Sequence, residues 1–204
     1  MALACPMNFD KDKLKSEVRL TYTQVAEDPG GDYHFHRGAE YAAKHLGYDL
    51  AGLKALPLTA TEVFCGMGNP FKMGALEPGA TVIDIGSGGG MDCLLAAKQV
   101  GPNGTVIGID MTDAMLERSG GAARAAGLVN VRFEKADMTR LPLADGSVDV
   151  VISNGVINLA PDKEAVFAEL FRVVKPGGRL QFADIIMKSD LSEDARNNID
   201  LWTG

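Results

Sequence analysis

The stretch TVIDIGSGGGMDCLLAAKQVGPNGTVIGIDM, residues 81–111, decides the fold. A short apolar run meets a glycine cluster, an apolar helical pattern follows, and a second apolar run ends on Asp110. Strand, turn, helix and strand in this order form the repeating unit of a parallel sheet. Gly86, Gly88 and Gly90 follow the first run directly, with Ser87 between the first two. Glycine allows a tight turn and close approach of a ligand to backbone. The helix beyond starts with free N–H groups that suit a polar or anionic ligand. Glycines alone also mark ordinary turns, so the acid carries the argument. A carboxylate about 20 residues beyond such a loop accepts hydrogen bonds from both ribose hydroxyls of a nucleoside.

The alternation continues outward. Runs at 106–109, 131–134, 148–153 and 179–186 join the one at 81–85, each short and apolar like a strand covered on both faces. Helical patterns at 91–100, 114–126 and 163–174 separate them. The last sets Ala165, Val166, Leu170 and Val173 near one stripe and closes at KPGG, where Pro176 cannot continue a helix. The fold class expected is α/β: a Rossmann-like, doubly wound, mostly parallel sheet over residues 80–204. Ligands bind such sheets beyond the carboxyl ends of the strands. Residues 1–79 read as a helical N-terminal extension, broken by EDPGGD and ending in a Gly/Pro-rich connector, that contributes to the substrate side.

The type of nucleoside follows from charge. A dinucleotide loop usually spaces its glycines as GxGxxG, and GSGGGMD has no such match. Asp84, two residues before Gly86, would repel a diphosphate and attract an ammonium. The cofactor implied is a nucleoside carrying an amino acid, S-adenosylmethionine. Asp84 organising the loop through its N–H groups is the alternative. Met111 follows the ribose acid. At the third strand end, EKADM places Asp137 where an adenine amino group could be met and Met138 where it could cover the ring. A simple turn before LPLADGS explains Asp137 equally well.

Composition bounds the rest. The 204 residues carry a net charge of −7, with lysine and arginine scattered, which argues against a general nucleic-acid surface. No window approaches the roughly 18 apolar residues that cross a membrane. The apolar start MALAC has no basic segment before it, so the sequence predicts no secretory signal and a cytoplasmic location. Cys5, Cys65 and Cys93 are an odd, unpaired set and read as reduced thiols. Cys93, in an apolar helical pattern, reads as core.

The landmarks VIDIGSGGG, VIGIDMTDAML, ADMTRLPLADGSVDVVISN and FRVVKPGGRL together resemble a class I S-adenosylmethionine-dependent methyltransferase. The resemblance implies Gly86, Gly88 and Gly90 as the cofactor loop, Asp110 at the ribose, Asp137 and Met138 at the adenine, and Asn154 at the rim. GPNGTVIGIDMTDAML, ISNGVINLAPDKEAVFAELFRVVKPGGRL and GMGNP are similar to arsenite methyltransferases over about residues 66–184. That family has cysteine where this chain has Gly155, and a further cysteine before the sheet without a persuasive counterpart here. Trivalent arsenic is thiophilic, so the sequence points away from three-thiolate arsenite chemistry and toward a small organic methyl acceptor.

A methyl sulfonium is already activated, so in-line positioning is the main requirement and no catalytic dyad is obligatory. In GGDYHFHRG, His34 and His36 alternate with Tyr33 and Phe35, which puts the two imidazoles on one side of an extended segment. With Tyr22 they form the candidate acceptor pocket and base; a solvated loop is the alternative. A two-histidine metal site lacks a third ligand, and no metal is expected. His45 reads as a helix residue packed on the sheet. A non-catalytic or partner-dependent methyltransferase-like subunit and an NAD-dependent oxidoreductase are the rival readings. The family's usual seven strands leave this chain two short, its C-terminal strands apparently missing. The tail MKSDLSEDARNNIDLWTG reads as connector and short helix capped by Ser192. The open edge predicts a homo-oligomer or a second chain completing the sheet.

Overall fold

The computed structural model describes residues 10–186, 192, 202 and 203. The expected C-terminal helix and Cys5 lie outside them. Parallel strands β1 (Thr81–Ile85), β2 (Thr105–Asp110), β3 (Val131–Lys135), β4 (Val148–Asn154) and β5 (Val174–Ala183) form one sheet in the order β3-β2-β1-β4-β5. The order reverses between β1 and β4, which opens a crevice at their carboxyl ends. Asp84 lies beside Gly108 on β2 and Ile152 on β4.

Alternation along the strands divides the core. Ile83, Ile85, Ile107, Ile109 and Val151 face the helix Lys163–Val173 through Val166, Leu170 and Val173. Val82, Val106, Val150 and Ile152 face the helix Met91–Val100 through Cys93, Ala96, Ala97 and Val100. Burial on both faces explains why the strands read as continuous apolar runs. The remaining helix of this half, Asp113–Ala125, packs against β3.

Ahead of the sheet lie α1 (Lys11–Glu27), α2 (Gly38–Tyr41) running into a π turn at Ala42–Leu46, α3 (Leu50–Lys54) and α4 (Leu58–Thr61). In chain order the helices of the sheet half are then α5, α6 and α7. Asp10 caps α1 by accepting from the amides of Asp12 and Lys13 at 2.9 and 3.1 Å. The extension shares a core with the sheet half: Ala42, Tyr48, Leu53, Leu56, Ala60 and Phe64 pack with Met91 and Leu94 of α5 and Ala122 and Ala123 of α6. No described helix is long and apolar enough to cross a membrane.

Two details differ from the sequence expectation. The last strand begins at Val174 rather than 179, because Val174 already pairs with Val148 before residues 175–178 bulge out and pairing resumes at Val150–Arg179. Pro176 has no N–H to donate, and the bulge is where a strand tolerates that. His45 does not pack on the sheet. It is exposed, its ring 5.6 Å from Tyr41 and 6.5 Å from His36.

The two sheet edges contrast. β3 carries the pairs Arg132–Glu134 and Lys135–Asp113, a charged edge that discourages further strand pairing. Next to β5, Phe182 and Phe167 lie 6.0 Å apart, and Phe171 is 86% exposed. Among the described residues no strand pairs with the outer edge of β5.

Candidate active site

A cavity of about 360 Å³ sits at the carboxyl ends of β1, β2 and β4. Its floor is the loop after β1. Gly86, Gly88 and Gly90 all have positive φ, at 69°, 50° and 89°. The amides of Gly86 and Ser87 donate to Ile109 O at 2.8 and 2.9 Å, which holds the loop against β2. A Cβ on Gly86 would lie 2.4 Å from Val156 Cγ1, so the loops after β1 and β4 touch only because this residue is glycine. Gly90 is not on the cavity wall; Gly89 is. Gly90 starts α5 in a left-handed conformation, packed on Phe133 and Ser119. It keeps its expected place at the end of the loop, where the structure gives it a packing and turn role.

Asp110 ends β2 and does two things at once. Its Oδ2 accepts from the Gly88 amide at 2.9 Å and its Oδ1 from the Thr112 amide at 2.8 Å. Burial pushes its carboxyl up, and those N–H donors pull against it. These bonds organise the turn after β2, and they do not exclude the ribose role expected for this residue, since Asp110 also lines the cavity. Beside it, Ser87 Oγ is buried on the cavity wall without a partner. Met111 and Met138 also line the wall.

Asp137 lines the cavity too, but its carboxylate already has donors. Lys15 from α1 pairs with Oδ2, and Oδ1 accepts from the Thr139 amide and hydroxyl at 2.9 and 2.7 Å. Burial alone would raise this carboxyl; Lys15 and Thr139 outweigh it and hold it below its ordinary value.

Two further carboxylates stand at the switch point. Asp84 is 3% exposed and accepts from the Cys93 thiol at 3.2 Å. Asp92, in the first turn of α5, is 5% exposed and accepts from the Tyr48 hydroxyl at 2.8 Å and Asn154 Nδ2 at 3.1 Å. Burial pushes Asp84 well above its ordinary range, reinforced by Asp92. Burial raises Asp92 to about 6 against the pull of Asn154 and Tyr48. Sequence reading missed Asp92, although an acid in the first turn after a glycine loop is a legible signal. It also missed Tyr48, which only the fold brings here.

Asn154 lines the cavity, as expected of a rim residue, and is also a clamp. Its Oδ1 accepts from the amides of Met67 and Gly68 at 2.8 and 3.0 Å, and its Nδ2 donates to Gly68 O, Tyr48 and Asp92. The connector is thereby fixed over β4.

The acceptor-side expectations divide. Tyr22 lines the cavity and hydrogen-bonds the Cys65 thiol, which lines it as well. Burial pushes the phenol well up and the thiol to about 12. Both are neutral at neutral pH, so Tyr22 is a donor there and not a base. His34 and His36 do not line the cavity. The alternation read from GGDYHFHRG is present with the other side inward: Tyr33 and Phe35 pack with Val25, Val63 and Met115, while both histidines are exposed. Apolar burial decides which side turns in, and the histidines are corrected out of the site.

Cys65, which the sequence marks only as a reduced thiol, is on this wall. Cys93 is in the core as expected, and both are free. Gly155 has φ 73°, and a Cβ there would lie 2.9 Å from Met67 Cγ. The position is filled by its neighbour and strained for any side chain.

A family model described as a methyltransferase domain matches residues 76–203. The chain belongs to that family. The methyltransferase chain is 41% identical over 162 residues to an arsenite methyltransferase of Halobacterium salinarum, a match covering 79% of this chain and 41% of that protein. It is 37% identical over 132 residues to the human arsenite methyltransferase, covering 59% and 35%. Among solved structures it is similar to an arsenic(III) S-adenosylmethionine methyltransferase from Chlamydomonas reinhardtii, with 40% identity and a TM-score of 0.66, covering 71% of this chain and 51% of that one. The methyltransferase chain thus spans about a third to half of these relatives. The cofactor of the domain is S-adenosylmethionine, and the chemistry of the wall fits it: the buried acid Asp110 beside a glycine loop, the unpartnered Ser87 hydroxyl, and the carboxylates Asp84 and Asp92 with no cation paired to them among the described residues.

The acid cluster has a consequence for stability. In the ligand-free protein Asp84 and Asp92 hold protons more tightly than in the unfolded chain, so ionising them on folding is costly. Lowering the pH from about 7 through 6 is therefore expected to raise stability. The gain ends near pH 4, where Asp137, Asp149 and Glu169, all held below their ordinary values, begin to lose their partners. Thermal melting of the ligand-free protein across this range checks it. A melting temperature that falls steadily from pH 7 to 5 contradicts the assignment.

Proposed function

We propose that the chain transfers a methyl group from S-adenosylmethionine to a small organic acceptor held against Tyr22, Cys65 and Gly155. The observation that carries this is one cavity lined both by the glycine loop with Asp110 and by Tyr22 and Cys65. The bound cofactor supplies an activated methyl on a sulfonium. The residues of the chain orient and enclose. Asp110 fixes the nucleoside, α1 and the connector exclude water, and the Tyr22 phenol donates to the Cys65 sulfur, which leaves the neutral thiol as the donor toward the acceptor. Neither Tyr22 nor Cys65 is poised to remove a proton, which favours an acceptor that arrives nucleophilic, such as an amine, a thiolate or an enolate. At about 360 Å³ the cavity is at the small end of ligand sites and leaves little room beyond the cofactor.

A second reading, methylation of arsenite, is favoured by the relatives and by the Cys65 thiol on the wall. Against it, Cys93 is turned to Asp84 and position 155 has no side chain. The test incubates the purified chain with S-adenosylmethionine and either arsenite plus a thiol or a panel of small amines, thiols and phenols. We expect an organic product and no methylated arsenic, with Cys65→Ser lowering the organic rate only modestly. Cofactor-dependent methylated arsenic, lost in Cys65→Ser, establishes the second reading instead.

A further inference from the structure

We propose that Asp92 and Tyr48 form a recognition element for the amino-acid end of the cofactor, completed by the N-terminal extension. The inference rests on the cofactor reading above and adds residues to it.

Asp84 and Asp92 come from different elements, β1 and α5, and both reach the cavity wall. The ion pairs among the described residues touch neither of them. Two buried carboxylates without a cation are costly unless a ligand supplies one. An independent feature of the same wall points to a ligand: Ser87 is 8% exposed, and its hydroxyl has no partner. A primary ammonium offers three donors and one positive charge, which suits two carboxylates and a hydroxyl.

Tyr48 makes Asp92 fit for this. A lysine there would neutralise the carboxylate and compete with the ligand. A phenol donates one hydrogen bond and leaves the charge in place. The Tyr48 ring is itself fixed, edge-on to Phe64 and Phe71 with centroids 5.5 and 6.3 Å away. Its hydroxyl also accepts from Asn154 Nδ2 at 3.0 Å. The carboxylate is therefore held from the extension and from β4 together. Tyr48 acts through Asp92 and is a positioning residue. The titratable groups facing Asp92 and Asp84 are each other, Tyr48, Cys93 and Asp110.

The experiment compares two probes by titration calorimetry. S-adenosylhomocysteine carries the amino-acid chain; 5′-methylthioadenosine is the same nucleoside thioether without it. In Asp92→Asn, affinity for S-adenosylhomocysteine should fall roughly tenfold or more, as for loss of a charged partner. Affinity for methylthioadenosine should stay within about twofold of the unmodified protein, a difference no larger than about 0.4 kcal/mol. Tyr48→Phe should show a smaller loss in the same sense. It should also move upward the pH below which S-adenosylhomocysteine binding weakens, because the phenol helps keep Asp92 ionised. Melting of the ligand-free variants controls for the fold, and Asp92→Asn removes a buried charge without changing shape. Equal loss for both probes, or none for either, in the two variants overturns the proposal. Failure of S-adenosylhomocysteine to bind the unmodified protein overturns the cofactor reading instead.

Discussion

Asp110→Ala should lower affinity for S-adenosylhomocysteine at least about a hundredfold. The carboxylate lines the cavity and can accept charge-assisted bonds from both ribose hydroxyls. Such bonds contribute about 1.5–3 kcal/mol each when buried. The variant also removes the acceptor for the Gly88 and Thr112 amides, 2.9 and 2.8 Å away, so the loop after β1 loses its tie to β2. Asp110→Asn should lie between, because an amide oxygen can serve one of those N–H groups but carries no charge. Calorimetry measures both. Unchanged affinity in the alanine variant removes Asp110 from the site.

Gly86→Ala should destabilise the protein by about 2–5 kcal/mol and weaken cofactor binding with it. Two costs add here. A φ of 69° is unfavourable for a residue with a Cβ, by roughly 1–2 kcal/mol. The new methyl would sit 2.4 and 2.5 Å from the two Val156 methyls, and overpacking of this kind costs about 1–3 kcal/mol. Trimming the neighbour separates them: Gly86→Ala with Val156→Ala should recover the packing part and retain the backbone part. Urea denaturation of the single and double variants reads this directly. A single variant as stable as the parent would mean that the loops after β1 and β4 are not in contact.

What the sequence discloses here follows from the range of the forces involved. The strands at 81–85 and 148–154 are legible because burial on both faces leaves a local signature, a continuous apolar run ended by glycine or a polar turn. Asp110 is legible because strand, loop and acid are tied by one short connection. Tyr48 and Asp92 are not tied that way. They are 44 residues apart and meet only because Ala42, Leu53 and Phe64 pack the extension onto α5. The GGDYHFHRG segment shows the same limit. Its period of two is local and legible, but the choice of inward side is made by Val25, Val63 and Met115 from three distant elements. Cys65 was undervalued for a related reason, since its partner Tyr22 lies on a helix more than 40 residues earlier, and the two meet only across the cavity. The start of β5 was misplaced because Val174 is recruited by Val148, a pairing that KPGG conceals.

The helix α1 supplies Lys11, Asp12, Lys15, Val18 and Tyr22 to the cavity wall. Its C-terminal half is pinned: Arg118 donates to Ala26 O at 2.5 Å and pairs with Glu62. Its N-terminal half is held by the partly exposed pairs Lys11–Asp162 and Lys15–Asp137, each contributing at most about 1 kcal/mol, and by Leu14 and Val18 against Leu159. The asymmetry separates tightness from traffic. On the cofactor reading, the glycine loop and the acids below would set how strongly a nucleoside is held, while the N-terminal half of α1 is the more lightly tied part of its cover. Removing Lys11 or Lys15 is therefore expected to speed release of S-adenosylhomocysteine more than it changes the stability of the sheet, which stopped-flow dissociation and thermal melting would read.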